Sequence, residues 1–296
     1  MSQTRENKKG LLSVVCAALL LSACGGSSSS STTVVRNETP PEDTSSGHDD
    51  FSGTDVQPYL VGEDATLEAG LFLAEITYKE TDADGNRITD DALMTLSATG
   101  NFTLVFDPDT ITVGTLTLEG DVIEASVTDY LFAEGEWQES ERATISGFVA
   151  PPESPEDARL EPGGRIENVL LTRDPGLSDQ DPGQELDFEK ISGTYSMSQP
   201  GSPSITINGA GEITGTVSEC ILNGQVEIPE SGLNIYELSY TASNCDTLGQ
   251  VSSSQRNGKY LGVGLFYPDS TTGTGTSEID FAASNGKITF FFAGTR

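Results

Sequence analysis

Histidine is nearly missing from this sequence: His48 is the only one in 296 residues, and it lies in a polar stretch without apolar periodicity. A Ser-His-Asp or Cys-His arrangement inside a folded body is therefore excluded. Histidine-ligated zinc, copper and non-haem iron sites go with it. Positive charge is scarce too, with 15 Lys and Arg against 46 Asp and Glu and a net charge of −31 at pH 7. Such a surface repels nucleic acid and anionic headgroups, so no nucleic-acid partner is expected. The same composition also describes a strongly solvated, soluble surface. Past the first two dozen residues, no apolar run nears the roughly 18 residues a membrane-crossing helix needs. Helical periodicity is lacking as well, so no glycine-rich phosphate loop has a helix to open.

The apolar residues that do cluster are N-terminal. Arg5, Lys8 and Lys9 precede a mostly apolar stretch from Gly10 to Leu21, the zoned pattern of an export signal. Leu21-Ser22-Ala23-Cys24 follows. This tetrapeptide resembles the lipobox of bacterial lipoprotein precursors, in which small residues fit the peptidase site and the cysteine thiol takes diacylglycerol before cleavage. The resemblance implies a signal peptide over 1–23, lipidation of Cys24 and a place in the bacterial cell envelope. Gly25, where inner-membrane lipoproteins often carry aspartate, implies the outer membrane in a Gram-negative cell. The acyl chains are the expected membrane attachment.

Residues 24–57 are rich in Ser, Thr, Pro, Gly and Asp, which reads as a disordered tether. From Gly70 on, short alternating runs separated by turn residues give an all-β reading. Phe102, Leu104 and Phe106 share one parity, and Ile123, Ala125 and Val127 alternate with Glu124, Ser126 and Thr128. In 111–118 the apolar phase flips from Ile111 and Val113 to Leu116 and Leu118, and Gly114 at the flip is expected to mark a β-bulge. Asp174-Pro175-Gly176 and Asp181-Pro182-Gly183 place a linker at 173–187, between an N-terminal β domain (58–172) and a C-terminal one (188–296). In the second half, strands are expected over 193–197, 205–208, 213–217, 224–228, 235–241, 260–267 and 279–281. A hairpin at Asn285-Gly286 leads into the last run, 288–292. Glycines at alternate strand positions, as in Gly262-Val263-Gly264, suit the interior of a small barrel. The two halves read as loose copies of one plan, two tandem antiparallel β domains that are small barrels or sandwiches.

Cys16 leaves with the signal peptide and Cys24 takes the lipid, so Cys220 and Cys245 remain in the body. In an exported chain an even pair favours a disulfide, with free buried thiols or a two-cysteine metal site as the competing readings. The midpoint of the pair falls in Pro229-Glu-Ser-Gly-Leu-Asn234, a strong turn signal, which would set the two cysteines opposite each other across a hairpin. Ile205 to Gly215, Cys220 to Gly224, Asn234 to Tyr236, Cys245 and Gly258 to Gly262 together resemble a domain of uncharacterised Gram-negative envelope lipoproteins. That family brings no activity to carry over.

Carboxylate chemistry needs no histidine, and Asp107, Asp109, Glu134 and Glu136 stand near strand ends. With 46 acidic residues, such pairs arise by chance, and an enzyme is not the expected reading. Asp82, Asp84 and Asp90 have the spacing that opens some calcium loops but lack the later bidentate glutamate, so a self-capped hairpin turn competes with a metal site. Trp137, in a polar stretch, points to a contact surface or to a side chain folded over a barrel end. No cofactor is expected. The leading function is a lipid-anchored envelope module that binds a ligand, a partner protein or an envelope polymer. A structural or surface-coat role is the alternative, and a carboxylate-based hydrolase the third reading.

Overall fold

A computed structural model of the chain describes residues 60, 67–107, 109–133, 135–150, 157–162, 164–197, 203–217, 219–268 and 276–296. The expected signal peptide, Cys24 and the 24–57 tether lie outside the described residues.

Eight strands form the first half: β1 (Gly70–Thr81), β2 (Arg87–Leu96), β3 (Asn101–Asp107), β4 (Thr110–Glu119), β5 (Val122–Ala133), β6 (Glu136–Ala150), β7 (Asp157–Pro162) and β8 (Ile166–Arg173). Each pairs antiparallel with the next, and β8 returns against β1 with Ala74 opposite Leu171, so the meander closes on itself. Closure into an eight-stranded up-and-down barrel removes most of the strand edges an open sheet would expose. The side-chain alternation of the sequence becomes inside and outside: Phe72, Met94, Leu96, Phe102, Leu116, Ile123, Leu160 and Leu171 fill the interior. Leu60 and Leu67, at most 2% exposed, belong to the same core.

A segment with two short helices leads to the second half. These are α1 (Pro175–Ser178), capped by the Asp174 side chain on Leu177 N, and α2 (Phe188–Ile191), capped by Asp187 on Lys190 N. The linker expected at 173–187 is fastened at many points. Ser178 Oγ accepts from Leu71 N at 2.8 Å, and Asn234 N donates to Ser178 O at 2.7 Å. Gln180 N and Leu186 N donate to the carbonyls of Gly232 and Ser231. Breaker residues shaped the path of this segment without freeing it.

The second half repeats the meander with β9 (Gly193–Ser196), β10 (Ser204–Ile207), β11 (Glu212–Val217), β12 (Cys220–Glu227), β13 (Ile235–Ser243), β14 (Gly258–Tyr267), β15 (Glu278–Ser284) and β16 (Ile288–Thr295). A third short helix, α3 (Ser253–Arg256), lies between β13 and β14. The circuit closes where Thr295 of β16 meets Ser196 of β9. Tyr195, Ile205, Ile213, Leu222, Tyr236, Tyr240, Tyr260, Phe281 and Phe292 form its core. Large rings are accommodated over glycine: a Cβ on Gly264 would stand 2.4 Å from Tyr236 Cζ. The choice between sandwich and barrel that the sequence left open is settled as barrels.

The described residues of both halves form one compact unit. β6 is the shared element, because its first residues pair with β16 (Trp137 opposite Thr289, Gln138 opposite Ile288) while Gly147 to Ala150 pair with β7. Val263 and Leu265, on the outer face of β14, are at most 2% exposed and belong to the core of the first barrel. This outer-face burial corrects the reading of 111–118. There is no bulge at Gly114, which pairs in register with Phe102 and Val127. Ile111 points outward yet is 1% exposed, and its cross-strand neighbour Tyr130 shares a hydrogen bond with Ser284 of β15. The phase flips because one end of the outer face is covered by the second barrel. Glycine at 114 is needed for room, since a Cβ there would lie 2.6 Å from Phe102 Cζ.

Candidate interaction surfaces

The seam between the barrels carries most of the buried charge. Glu237, 2% exposed on β13, accepts from Ser97 and Thr99 of the β2–β3 turn and from Asn101 at the start of β3. Glu136 at the start of β6 pairs with Arg256 of α3 at 2.9 Å, with side-chain exposures of 5% and 2%. Burial raises the Glu136 carboxyl pKa against the opposing pull of Arg256. Such a pair contributes little net stability against apolar residues but is costly to break. Glu136 and Arg256 also border a space of about 20 Å³ at the end of the second barrel, beside Tyr240 and Tyr260, room for one water molecule. On the outer face of β15, Asp280 accepts from Tyr267 Oη (2.8 Å) and Leu265 N (3.3 Å). Burial raises its pKa to about 6, the two hydrogen bonds hold it down, and Glu278 pushes it further up.

The sequence-derived candidates are dispersed. Asp82 Oδ1 accepts from the backbone of Asp84 and Asn86, both at 2.9 Å, so the turn between β1 and β2 caps itself. Asp90 stands down β2, opposite Ile76, and Asp82, Asp84 and Asp90 do not converge. Among the described residues no three His, Cys, Asp or Glu side chains converge as a metal site. Asp107 ends β3, Asp109 follows it, and Glu134 lies outside the described residues. Glu136 is committed to Arg256. Trp137 is a strand residue rather than a loop residue, packed between Phe132 (4.8 Å between centroids) and Phe291 (6.4 Å) along the seam.

Cys220 and Cys245 form a disulfide with a Cα–Cα separation of 4.1 Å. The directly opposed placement expected from the midpoint is not what forms. The β12–β13 register sets Ile221 opposite Ser243, and Cys245 lies two residues beyond, after Asn244 turns the chain with φ 54°. The sulfurs meet inside the barrel end, with the cysteines 6% and 4% exposed.

The outer surfaces bear several large apolar side chains. Leu73 (52% exposed) and Leu93 (46%) are cross-strand neighbours on β1 and β2, and Leu93 pairs in turn with Val105 of β3. The row continues through Ile111 and Tyr130 beneath the second barrel. Phe148 (55%) and Val122 (40%) form another exposed pair on β6 and β5. A polar groove of about 460 Å³ lies beside α1, bordered by Asp179, Asp181, Lys190, Asn234 and Arg296. Nothing in the sequence singled out Leu73 or Leu93; their exposure depends on where the second barrel ends, which no local pattern records.

These features define a class by architecture: two eight-stranded up-and-down barrels fused through one long strand. No family model, curated protein or solved structure matches the chain.

Proposed function

We propose that the chain is a lipid-anchored envelope protein whose paired barrels serve as a contact module for a partner protein. The observation that supports this reading is the contrast between interior and exterior. Small-molecule sites are concave, mostly apolar pockets of roughly 300–1,000 Å³, whereas the space at the end of the second barrel is about 20 Å³, both cores are filled by the chain's own side chains, and the groove of about 460 Å³ beside α1 is lined mainly by charged and amide side chains. Outside, the Leu73–Leu93–Val105 row leaves apolar surface uncovered next to a packed seam, and contiguous exposed apolar surface marks contact sites. The lipobox resemblance at Leu21 to Cys24 supports the envelope location. A photo-crosslinking residue at position 93 in intact cells tests the reading, with position 212, exposed on β11 of the second barrel, as control. A discrete protein adduct at 93 and none at 212 is expected. Equal labelling at both positions, or none at any surface position, sinks it.

A further inference from the structure

The first barrel is closed over only part of its height. β6 runs from Glu136 to Ala150, but β7 has six residues and pairs only with Gly147 to Ala150. At its other end, β6 reaches β16 through Trp137 and Gln138, and Glu139 N donates to Lys287 O. Between these contacts, 140–146 have β5 on one side and, among the described residues, no strand on the other. Apart from half-buried Ile145, every residue of this stretch is exposed.

The direction of each backbone group follows from two contacts. Val149 N donates to Asp121 O on the β5 side, and groups alternate along a strand. Residues 147, 145 and 143 therefore face β5, while Arg142, Thr144 and Ser146 present both N–H and C=O outward. Pro162 opposite Gly147 agrees, because a residue without an N–H fits a pair that exchanges no hydrogen bonds. Behind this edge the barrel wall is incompletely covered. Ile145, Val127, Phe106 and Ile166 pack on the core while only partly buried.

We propose that the 140–146 edge of β6 accepts an extended segment of a basic partner protein, which continues β7 and completes the barrel wall. The inference rests on the contact-module reading and adds a second surface to it. Strand addition of this kind draws affinity from main-chain hydrogen bonds and specificity from alternate side chains. Charge selects the partner. The nearby arginines are already engaged: Arg142 with Glu139, Arg159 with Glu161, Arg165 with Glu80 and Arg87 with Glu167. Glu141, exposed on the edge, has no cation within ion-pair distance among these, and Asp129 opposite it points the same way. A net charge of −31 on each copy opposes pairing of two edges in a homodimer. The fitting segment carries β-branched residues to meet Ala143 and Ile145, and Lys or Arg to meet Glu141.

The test uses the full chain and the blocked peptide Thr-Val-Thr-Val-Thr-Lys-Thr as probe, which sets Val opposite Ile145 and Ala143 and Lys opposite Glu141 in an antiparallel pairing, followed by amide hydrogen exchange. Saturating peptide is expected to slow exchange at Arg142, Thr144 and Ser146 at least tenfold, and to leave Ala143 and Ile145 nearly unchanged. The same peptide N-methylated at alternate residues keeps the charge but loses the donors, and should bind at least tenfold more weakly. Thr144→Pro removes one outward donor at a position that an edge strand tolerates, and should weaken binding equally with an unchanged melting temperature. Binding indifferent to N-methylation, or protection elsewhere on the surface, overturns the proposal. So does a dimer in sedimentation whose β6 edge is protected without peptide, which would give the edge to a second copy. A crosslinked partner at position 93 with none at 144 would remove this inference and leave the contact-module reading standing.

Discussion

Asp280 offers the sharpest energetic test of the seam. Its carboxylate is held among Tyr267, Leu265 and Glu278, and burial lifts its pKa from 3.8 to about 6. A carboxyl whose folded pKa is raised opposes folding when ionised. The penalty is absent below about pH 4, grows between about 4 and 6, and is complete above 6. The lift corresponds to at most about 3 kcal/mol at roughly 1.4 kcal/mol per unit, and less because the side chain keeps partial exposure. Asp280→Asn removes the charge, and its amide oxygen and nitrogen can still pair with Leu265 N–H and the Tyr267 hydroxyl. Urea denaturation should find the variant more stable than the parent by about 1–3 kcal/mol at pH 7.5, with the two curves converging near pH 4. Comparing the two chains cancels the general easing of surface repulsion as the other acids protonate. A difference that is independent of pH, or a variant less stable at pH 7.5, would refute the reasoning.

Replacing Cys220 and Cys245 together by serine opens a loop with a sequence separation of 25 and should cost about 3 kcal/mol in the chain-entropy account. Urea titration and mass spectrometry of unreduced peptides check the cost and the bond, and two free thiols in the parent would contradict it. Arg256→Met leaves the buried Glu136 carboxylate without its partner and should cost about 3–5 kcal/mol, while the double change Glu136→Leu with Arg256→Met recovers part of it, the bond from Arg256 Nη1 to Asp246 O being lost in both; a double variant as unstable as the single would show that the pair is worth more than its desolvation. Cys24→Ser should leave a form that is not acylated, read by detergent partitioning and intact mass; normal acylation of that variant would end the lipoprotein proposal.

Most of the fold was legible because a meander is a local code. The eight strands of the second half appear in the sequence as alternating runs broken by Asn-Gly and glycine turns, and β9 to β16 lie close to those runs. Phe102, Leu104 and Phe106 were readable as one face of β3 because inside and outside alternate with period two. Failure came wherever the outer face of one barrel is buried by the other. Ile111 mimicked a bulge, and Trp137 passed for a loop residue because its neighbours in sequence are polar while Phe291 lies over 150 positions away. Glu136 looked like one of many surface acids. Its partner Arg256, one of the 15 basic residues, was the available signal, but nothing local ties the two together. The disulfide was placed to within a residue because hairpin register is nearly symmetric about its turn, and Asn244 supplied the offset.

The two barrels also set an order in which this chain can fold. Each must bring together strands far apart in sequence, Phe72 with Arg173 in the first and Ser196 with Thr295 in the second. Closures over such distances carry nearly equal entropic costs, and β proteins dominated by non-local pairs fold in milliseconds to seconds. A chain emerging from its N-terminus can complete the first barrel once β8 is out. The second must wait for β16, which meets β15, β9 and β6. Until that strand arrives, β9, β15 and the start of β6 are each paired on one side only, so the slowest and most aggregation-prone interval falls late in folding, and a single eight-residue strand ends it.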